Sequence, residues 1–100
     1  MHILLAVTDV FRALDDETRR LILDELASRD GQSLFEICAT LAMRHGVGST
    51  RQAISQHLAV LEDAGLVNTE RRGRTKLHYF NQEPLKAITQ RWPNTRKEAP

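Results

Sequence analysis

One segment of the chain, residues 49–67, combines side chains that form paired hydrogen bonds with a strict order of charge. Its first half includes a guanidinium, two carboxamides and a hydroxyl at helical spacing, on Arg51, Gln52, Ser55 and Gln56. Guanidinium and carboxamide groups have paired donors and acceptors that match the edges of bases in a DNA major groove. The carboxylates of Glu62 and Asp63 come at the rear of the segment. We therefore predict that its front faces a polyanion and contacts base edges, while both carboxylates lie away from that polyanion.

Helical periodicity would place these polar groups on one face. Ile54, Leu58 and Leu61 recur at i, i+4 and i+7 and are predicted to pack inward. The opposite stripe is small and uncharged, and it consists of Gln52, Ser55, Gln56 and Ala59. Such a stripe can approach another surface closely, whereas a merely solvated face more often carries Lys and Glu. A solvated polar face is nevertheless the alternative explanation of this pattern.

A cationic run follows the segment. The stretch RRGRTK contains four positive charges and no negative one, on Arg71, Arg72, Arg74 and Lys76. It lies between two β-prone runs, LVNTE and TKLHYF, which predicts a hairpin with a basic tip. Cations at such a tip are candidates for contacts to DNA phosphates, which give position and salt-dependent affinity rather than sequence choice. A solvated turn is the alternative.

The segment at 49–67 is predicted to be the fourth of five helices, and the cationic hairpin follows it. Apolar spacing indicates helices from Ile3 to Leu14 and over residues 16–28. The Ser33-x-x-Glu36 spacing of a capping box begins a third, and Ser49 or Thr50 caps the fourth, with Gln52 completing a second capping box from Ser49. Pro84 suits the first position of a last helix over 84–92.

The predicted fold is mainly α with a small β-hairpin. A helix, a glycine-containing turn, a second helix and a hairpin make up the element order of a winged helix-turn-helix domain, here with about five helices and a two-stranded wing. We expect a single domain over residues 1–92 and a disordered tail over 93–100.

Composition fits this fold. The chain has 100 residues, 41% hydrophobic and 27% charged, which is ordinary globular composition. Its net charge of +1 hides an asymmetry: five basic and eight acidic side chains among residues 1–50, but nine and five among residues 51–100. The sequence has neither a long apolar run nor a basic leader, so we expect a cytoplasmic protein without membrane association.

Cysteine and histidine give no sign of a metal site or a catalytic centre. Cys38 is the single cysteine and falls on the apolar side of the third helix, where we expect a small buried hydrophobe. The four histidines are scattered without ligand spacing, although His57 is placed to donate to a phosphate. Catalytic triads, carboxylate pairs and phosphate-binding glycine loops are not found in the sequence, so we expect no enzyme and no cofactor.

Three stretches, ALDDETRRLILDEL, AISQHLAVLEDAGLV and RRGRTKLHYF, resemble the ArsR/SmtB-type winged-helix transcriptional repressors of bacteria, from about residue 8 to residue 80. The resemblance implies a homodimer that binds an imperfect palindrome in promoter DNA. It also implies that residues matching the DNA-facing part of the family's recognition helix do so here, namely Thr50, Arg51, Gln52, Ser55, Gln56 and His57.

The resemblance further implies that the first and last helices form the subunit contact. The candidate interface residues are Leu4, Val7, Phe11, Leu85, Ile88 and Trp92. Packing of these residues onto their own domain is the alternative. The chain departs from many members in lacking a cysteine pair on the third helix and His or Asp within 84–92, so no metal effector is expected. Its third helix and following turn are also several residues longer than is usual in the family.

Two functions fit these observations. The first is a sequence-specific DNA-binding regulator, and the second is a winged-helix module that binds an acidic protein through its hairpin. They differ in their response to salt and to competitor DNA.

Overall fold

The computed structural model of the chain describes residues 9–92. Residues 9–14 are helical and belong to α1. The elements that follow are α2 (Glu17–Ser28), α3 (Leu34–His45), α4 (Arg51–Asp63), β1 (Val67–Arg72), β2 (Thr75–Phe80) and α5 (Glu83–Arg91). Five helices and a two-stranded antiparallel hairpin are thereby confirmed. The predicted start of α1 at Ile3 and the tail over residues 93–100 lie outside the described residues.

Side-chain caps set where the helices begin. Ser33 and Glu36 form the predicted capping box: the Glu36 amide donates to Ser33 Oγ at 3.2 Å, and the Ser33 amide donates to Glu36 Oε1 at 2.9 Å. In α4 the cap is Thr50, whose Oγ1 accepts from the Ala53 amide at 3.0 Å. The predicted box between Ser49 and Gln52 is therefore wrong, because the helix begins one residue later and Ala53 has no side chain that reaches back.

The turn between α3 and α4 depends on Gly46, which has φ of +63°. The Gly46 amide donates to Ala42 O at 3.2 Å, and the Val47 amide donates to Leu41 O at 3.1 Å. These bonds satisfy carbonyls that the end of a helix leaves free, and glycine adopts this left-handed conformation without a steric cost. The chain then runs four residues further before α4 begins, so the longer turn is an extension after a regular helix end.

The core lies where α2, α3 and α4 meet the base of the hairpin. Ile54, Leu58 and Leu61 are buried, as their spacing predicted. They pack with apolar side chains from the other elements, including Ile22, Leu26, Ile37, Leu41 and Leu66. Burial of each such side chain stabilises the fold by about 1.5–3 kcal/mol. This packing turns the opposite face of α4 to solvent.

An isolated antiparallel β-bridge between Gln32 and His78 anchors the hairpin to the helical body. The His78 amide donates to Gln32 O at 2.9 Å, and the Gln32 amide donates to His78 O at 3.2 Å. The buried His78 ring adds a third bond, in which Nδ1 donates to Gln32 O at 2.9 Å. Asp30 Oδ1 accepts from the Phe80 amide at 2.8 Å. The α2–α3 connection therefore fixes β2 in place.

Arg19 joins α1, α2 and α4 through one guanidinium whose side chain is 14% exposed. Its Nε donates to Ala13 O at 2.8 Å and its Nη2 donates to Arg12 O at 3.1 Å. Its Nη1 lies 3.1 Å from His57 Nδ1 on α4. Because guanidinium has donors only, His57 Nδ1 is the acceptor of this bond. Arg19 thus satisfies the carbonyls at the end of α1 and holds the side of α4.

Substitution of Arg19 should destabilise the fold. We expect Arg19→Gln to lower the free energy of unfolding by about 2 kcal/mol, because two partly buried acceptors and one exposed acceptor lose a charged donor. Urea unfolding followed by circular dichroism measures this. The matched control is Arg20→Gln, because Arg20 is exposed and makes a single such bond, from Nη1 to Leu14 O at 2.6 Å. Equal losses in the two variants would contradict the central position of Arg19.

Stability should fall in acid partly through Glu36. The hydrogen bond from the Ser33 amide lowers the pKa of Glu36 below its ordinary value of 4.5. A carboxylate with a lowered pKa stabilises the fold above the unfolded-state pKa and loses that contribution as pH falls through the folded-state pKa. Glu36→Gln keeps the capping hydrogen bond without the titration, so below pH 4.5 its unfolding free energy should depend less steeply on pH. An unchanged slope would count against this contribution.

Candidate nucleic-acid interface

The outward face of α4 carries the predicted polar side chains. Arg51, Gln52, Ser55 and Gln56 are all exposed, as is Ala59 one turn further on. The apolar stripe of the same helix is buried, with Ile54 at 1% and Leu61 at 0% exposure. The predicted separation of the two faces is therefore confirmed. Because α4 begins after Thr50, its first backbone amides and the positive end of its helix dipole lie at the Arg51 end of this face.

A groove of about 480 Å³ runs between α4 and the hairpin, which we call the wing groove. It is lined by Ser33, Leu34, Phe35, Arg51, Ser55, Leu58, Ala59, Glu62, Arg74, Thr75, Lys76 and His78. One wall is the flank of α4, the second is the hairpin, and the third is the start of α3. Arg51 and Ser55 from the helix therefore share one concave surface with Arg74 and Lys76 from the hairpin.

Strand register divides the four cations of the hairpin. Arg71 is the cross-strand partner of Lys76, two positions before the buried His78, so both side chains lie on the body-facing side of the hairpin. Arg72 is paired with Thr75 and lies on the other side. Its Nε is 3.7 Å from Glu70 Oε2. Arg74 occupies the turn and lines the wing groove.

Glu62 departs from its predicted position. The sequence suggested that the carboxylates at the end of α4 lie away from the cationic surface. Glu62 instead lines the wing groove, and its Oε2 is 3.4 Å from Lys76 Nζ. The reason is angular: residue 62 is eleven positions after Arg51, close to three full helical turns, so both side chains project to the same flank. Asp63 is exposed, one position further around the helix.

The two remaining predicted contacts of α4 already have partners within the protein. Thr50 Oγ1 accepts the capping hydrogen bond, although its O–H can still donate. His57 is half-buried on the flank next to Arg19, which contacts its Nδ1. Arg19 is a residue that sequence reasoning missed, because it precedes His57 by 38 positions. The start of α3, with Ser33 and Phe35, was also missed, because these residues are far in sequence from the α4 and hairpin residues that they meet in the wing groove.

Exposed aromatic side chains meet where α1 and α5 come together. Phe11 is 41% and Trp92 63% exposed, and their ring centroids are 6.4 Å apart. The Arg91 guanidinium lies 4.8 Å from the centre of the Trp92 ring. Leu85 and Ile88 are half-buried against the core of the same chain. The other two candidates for the subunit contact, Leu4 and Val7, lie outside the described residues.

Cys38 is half-buried and packs against the core, less deeply than the full burial expected. Burial raises the pKa of its thiol, while the nearby Arg51 charge opposes this. Between residues 9 and 92, His, Cys, Asp and Glu form no group of three or more that would hold a metal ion. In the same part of the chain no helix has the length and apolar character needed to cross a membrane.

Known proteins resemble this chain in sequence and in fold. A helix-turn-helix domain family matches residues 14–70. The chain is 49% identical over 83 residues to YuzN of Bacillus subtilis, an uncharacterized HTH-type transcriptional regulator, covering 83% of this chain and 90% of that protein. It is 37% identical over 82 residues to the HTH-type transcriptional regulator KmtR of Mycobacterium tuberculosis, covering 82% of this chain and 58% of that protein.

Among solved structures, an ArsR-like transcriptional regulator from Rhodococcus sp. RHA1 superposes with a TM-score of 0.70 and 35% identity, covering 91% of this chain and 82% of that chain. Another ArsR family transcriptional regulator, RHA00566, gives a TM-score of 0.69 at 26% identity, covering 92% and 94%. Family, relatives and fold agree with the exposed helix and wing described above. The chain belongs to the helix-turn-helix transcriptional regulators of the ArsR type and is a DNA-binding protein.

Proposed function

We propose that this protein is a homodimeric transcriptional repressor that binds a palindromic promoter operator. The observation that carries the proposal is the pairing of an uncharged polar face on α4 with a cationic groove beside it. The face offers groups that discriminate bases, and the groove offers groups that bind phosphate. Occupation of a promoter by a compact dimer would exclude polymerase, which is why repression is the favoured outcome.

The proposal divides the contacts between two kinds of side chain. Base edges would be contacted from the first two turns of α4, by Arg51, Gln52, Ser55 and Gln56. Backbone phosphates would be contacted around them, by Thr50, His57, Arg71, Arg72, Arg74 and Lys76. The wing cations lie on two sides of the hairpin, so they would reach phosphates on both sides of its tip. With about six to eight phosphate contacts per dimer, log affinity should fall with log salt at a slope of about −5 to −7.

Dimer formation would use the aromatic surface of α1 and α5. Phe11 and Trp92 are large, exposed and in contact with each other, which favours their burial in a subunit contact. Leu85 and Ile88, half-buried on the core, would form the floor of this contact, and Leu4 and Val7 would extend it. A two-fold dimer places its α4 helices about 34 Å apart, in successive major grooves on one side of the duplex.

The roles of helix and wing can be separated on DNA. An operator is first selected from a random duplex pool with the purified protein, and a palindrome among the selected sequences would support dimeric recognition. On that operator Gln52→Ala should lose about 1–3 kcal/mol of binding and relax base preference. Arg74→Ala should weaken operator and random duplex alike and make the salt slope shallower by about one per phosphate contact.

Two outcomes would contradict the proposal. Equal losses of Gln52→Ala on operator and random DNA would show that α4 does not read bases. Selection that enriches no sequence would exclude specific recognition and favour a module that binds an acidic protein.

The subunit contact is tested by Trp92→Ala. We expect the dimer to dissociate at higher protein concentration than in wild type, because the largest apolar side chain of the proposed contact is lost. Sedimentation velocity over a dilution series measures this. The control is Met43→Ala, which removes a side chain that is 84% exposed on α3 and is not part of the proposed contact. An unchanged dimer in Trp92→Ala would exclude this surface as the contact.

A further inference from the structure

The wing groove contains a charge pattern that the proposed contacts do not explain. Arg51, Arg74 and Lys76 bring three positive charges to its walls, and Glu62 brings the one negative charge among its lining residues. That carboxylate is not remote from the cations: its Oε2 lies 3.4 Å from Lys76 Nζ. A surface selected only for affinity to a polyanion gains nothing from this charge.

We propose that the wing groove is the binding site of one DNA backbone phosphate. Glu62 forms an ion pair with Lys76 in the free protein, and Lys76 exchanges this partner for the phosphate when DNA binds. The inference rests on the proposed function. It assigns Glu62 a role opposite to that of its neighbours: it lowers affinity for every duplex and thereby limits how long the protein stays on non-operator DNA.

The position of the groove supports a phosphate. If α4 enters the major groove and the hairpin lies beside it, the strand that borders the major groove must pass between them. The wing groove is the space between them, and its volume of about 480 Å³ admits a phosphodiester with the adjoining sugars. Hydroxyls of Ser33, Ser55 and Thr75 line it together with the cations. These groups are donors to phosphate oxygens.

The exposure of the ion pair makes an exchange of partners feasible. The Glu62 side chain is 31% and the Lys76 side chain 46% exposed, so neither charge is locked in a dry interior. Ion pairs of this kind contribute little to stability and weaken with salt. Lysine has a flexible stem and three donors, so its ammonium can move from a carboxylate to a phosphate oxygen without a change in the backbone. The Glu62 carboxylate then remains beside the phosphate and repels it.

This balance predicts tighter binding when Glu62 loses its charge. In the Glu62→Gln full-length protein, repulsion of the phosphate is removed and Lys76 no longer has a competing partner. We expect affinity for the selected operator and for random duplex to rise by similar factors, about threefold to tenfold. The log–log salt slope should become steeper, by up to about 0.9 per subunit, because in wild type the carboxylate that Lys76 leaves takes up a cation and offsets part of the counterion release.

The matched control is Asp63→Asn. It makes the same change in net charge at the adjacent residue, which is exposed and does not line the wing groove. We expect less than about a twofold change in affinity and no change in slope for this variant, because its carboxylate is screened by solvent. Removal of Glu62 should tighten binding less in the Lys76→Gln background than in wild type, because repulsion of the phosphate is relieved in both but a competing partner of Lys76 is removed only in wild type. Circular dichroism and urea unfolding establish that all variants are folded.

Three results would overturn the inference. An equal gain from Asp63→Asn would show a general effect of net charge, and weaker binding by Glu62→Gln would show that the carboxylate positions Lys76 for DNA rather than competing with it. A gain of Glu62→Gln that is undiminished in the Lys76→Gln background would exclude the exchange of partners. If wild type itself enriches no sequence and binds duplex without salt dependence, the proposed function fails instead, so the two failures are distinguishable.

Discussion

The hydrogen bonds between Gln32 and His78 determine where the cations of the hairpin lie. An isolated two-stranded hairpin is marginally stable in water and has no fixed orientation. Here β2 is bonded to the α2–α3 connection through both backbone bonds and the His78 ring. Because α3 begins directly after this connection, the same bonds set the distance between the start of α3, the hairpin and α4. The wing groove exists as a defined space because these three walls are joined at their base.

A second set of contacts holds the opposite flank of α4. The Arg19 guanidinium donates hydrogen bonds to the end of α1 and to His57. As a result, α4 lies between Arg19 on one side and the wing groove on the other. The buried apolar stripe fixes the rotation of α4 about its axis, and the two flanking contacts limit its tilt. In the proposed dimer α1 belongs to the subunit contact, so Arg19 would transmit the position of that contact to the helix that meets DNA.

Positive charge is concentrated in one groove although the net charge of the chain is small. A net charge of +1 would not by itself attract DNA strongly, yet Arg51, Arg74 and Lys76 are gathered in one groove. Two carboxylates form ion pairs with these cations and their neighbours: Glu62 pairs with Lys76, and Glu70 pairs with Arg72. Such pairs lower the net positive charge of the surface beside α4. In the proposed complex, Gln52, Ser55 and Gln56 would choose the sequence without adding charge, whereas Arg74 and Lys76 would add affinity for any duplex.

Features that depend on neighbours within about four positions could be predicted from the order of the amino acids alone. These are the inward stripe of Ile54, Leu58 and Leu61, the capping box at Ser33 and the hairpin with its cationic tip. The tertiary structure decided the partners that lie far apart in the chain, such as Gln32 with His78 and Arg19 with His57, which are separated by 46 and 38 positions. The structure also chose between the two caps that the sequence left open, with Thr50 rather than Ser49 capping α4, and it placed Glu62 beside Lys76. Periodicity and capping follow from local backbone geometry, but the partner of a long charged or polar side chain depends on which elements pack together.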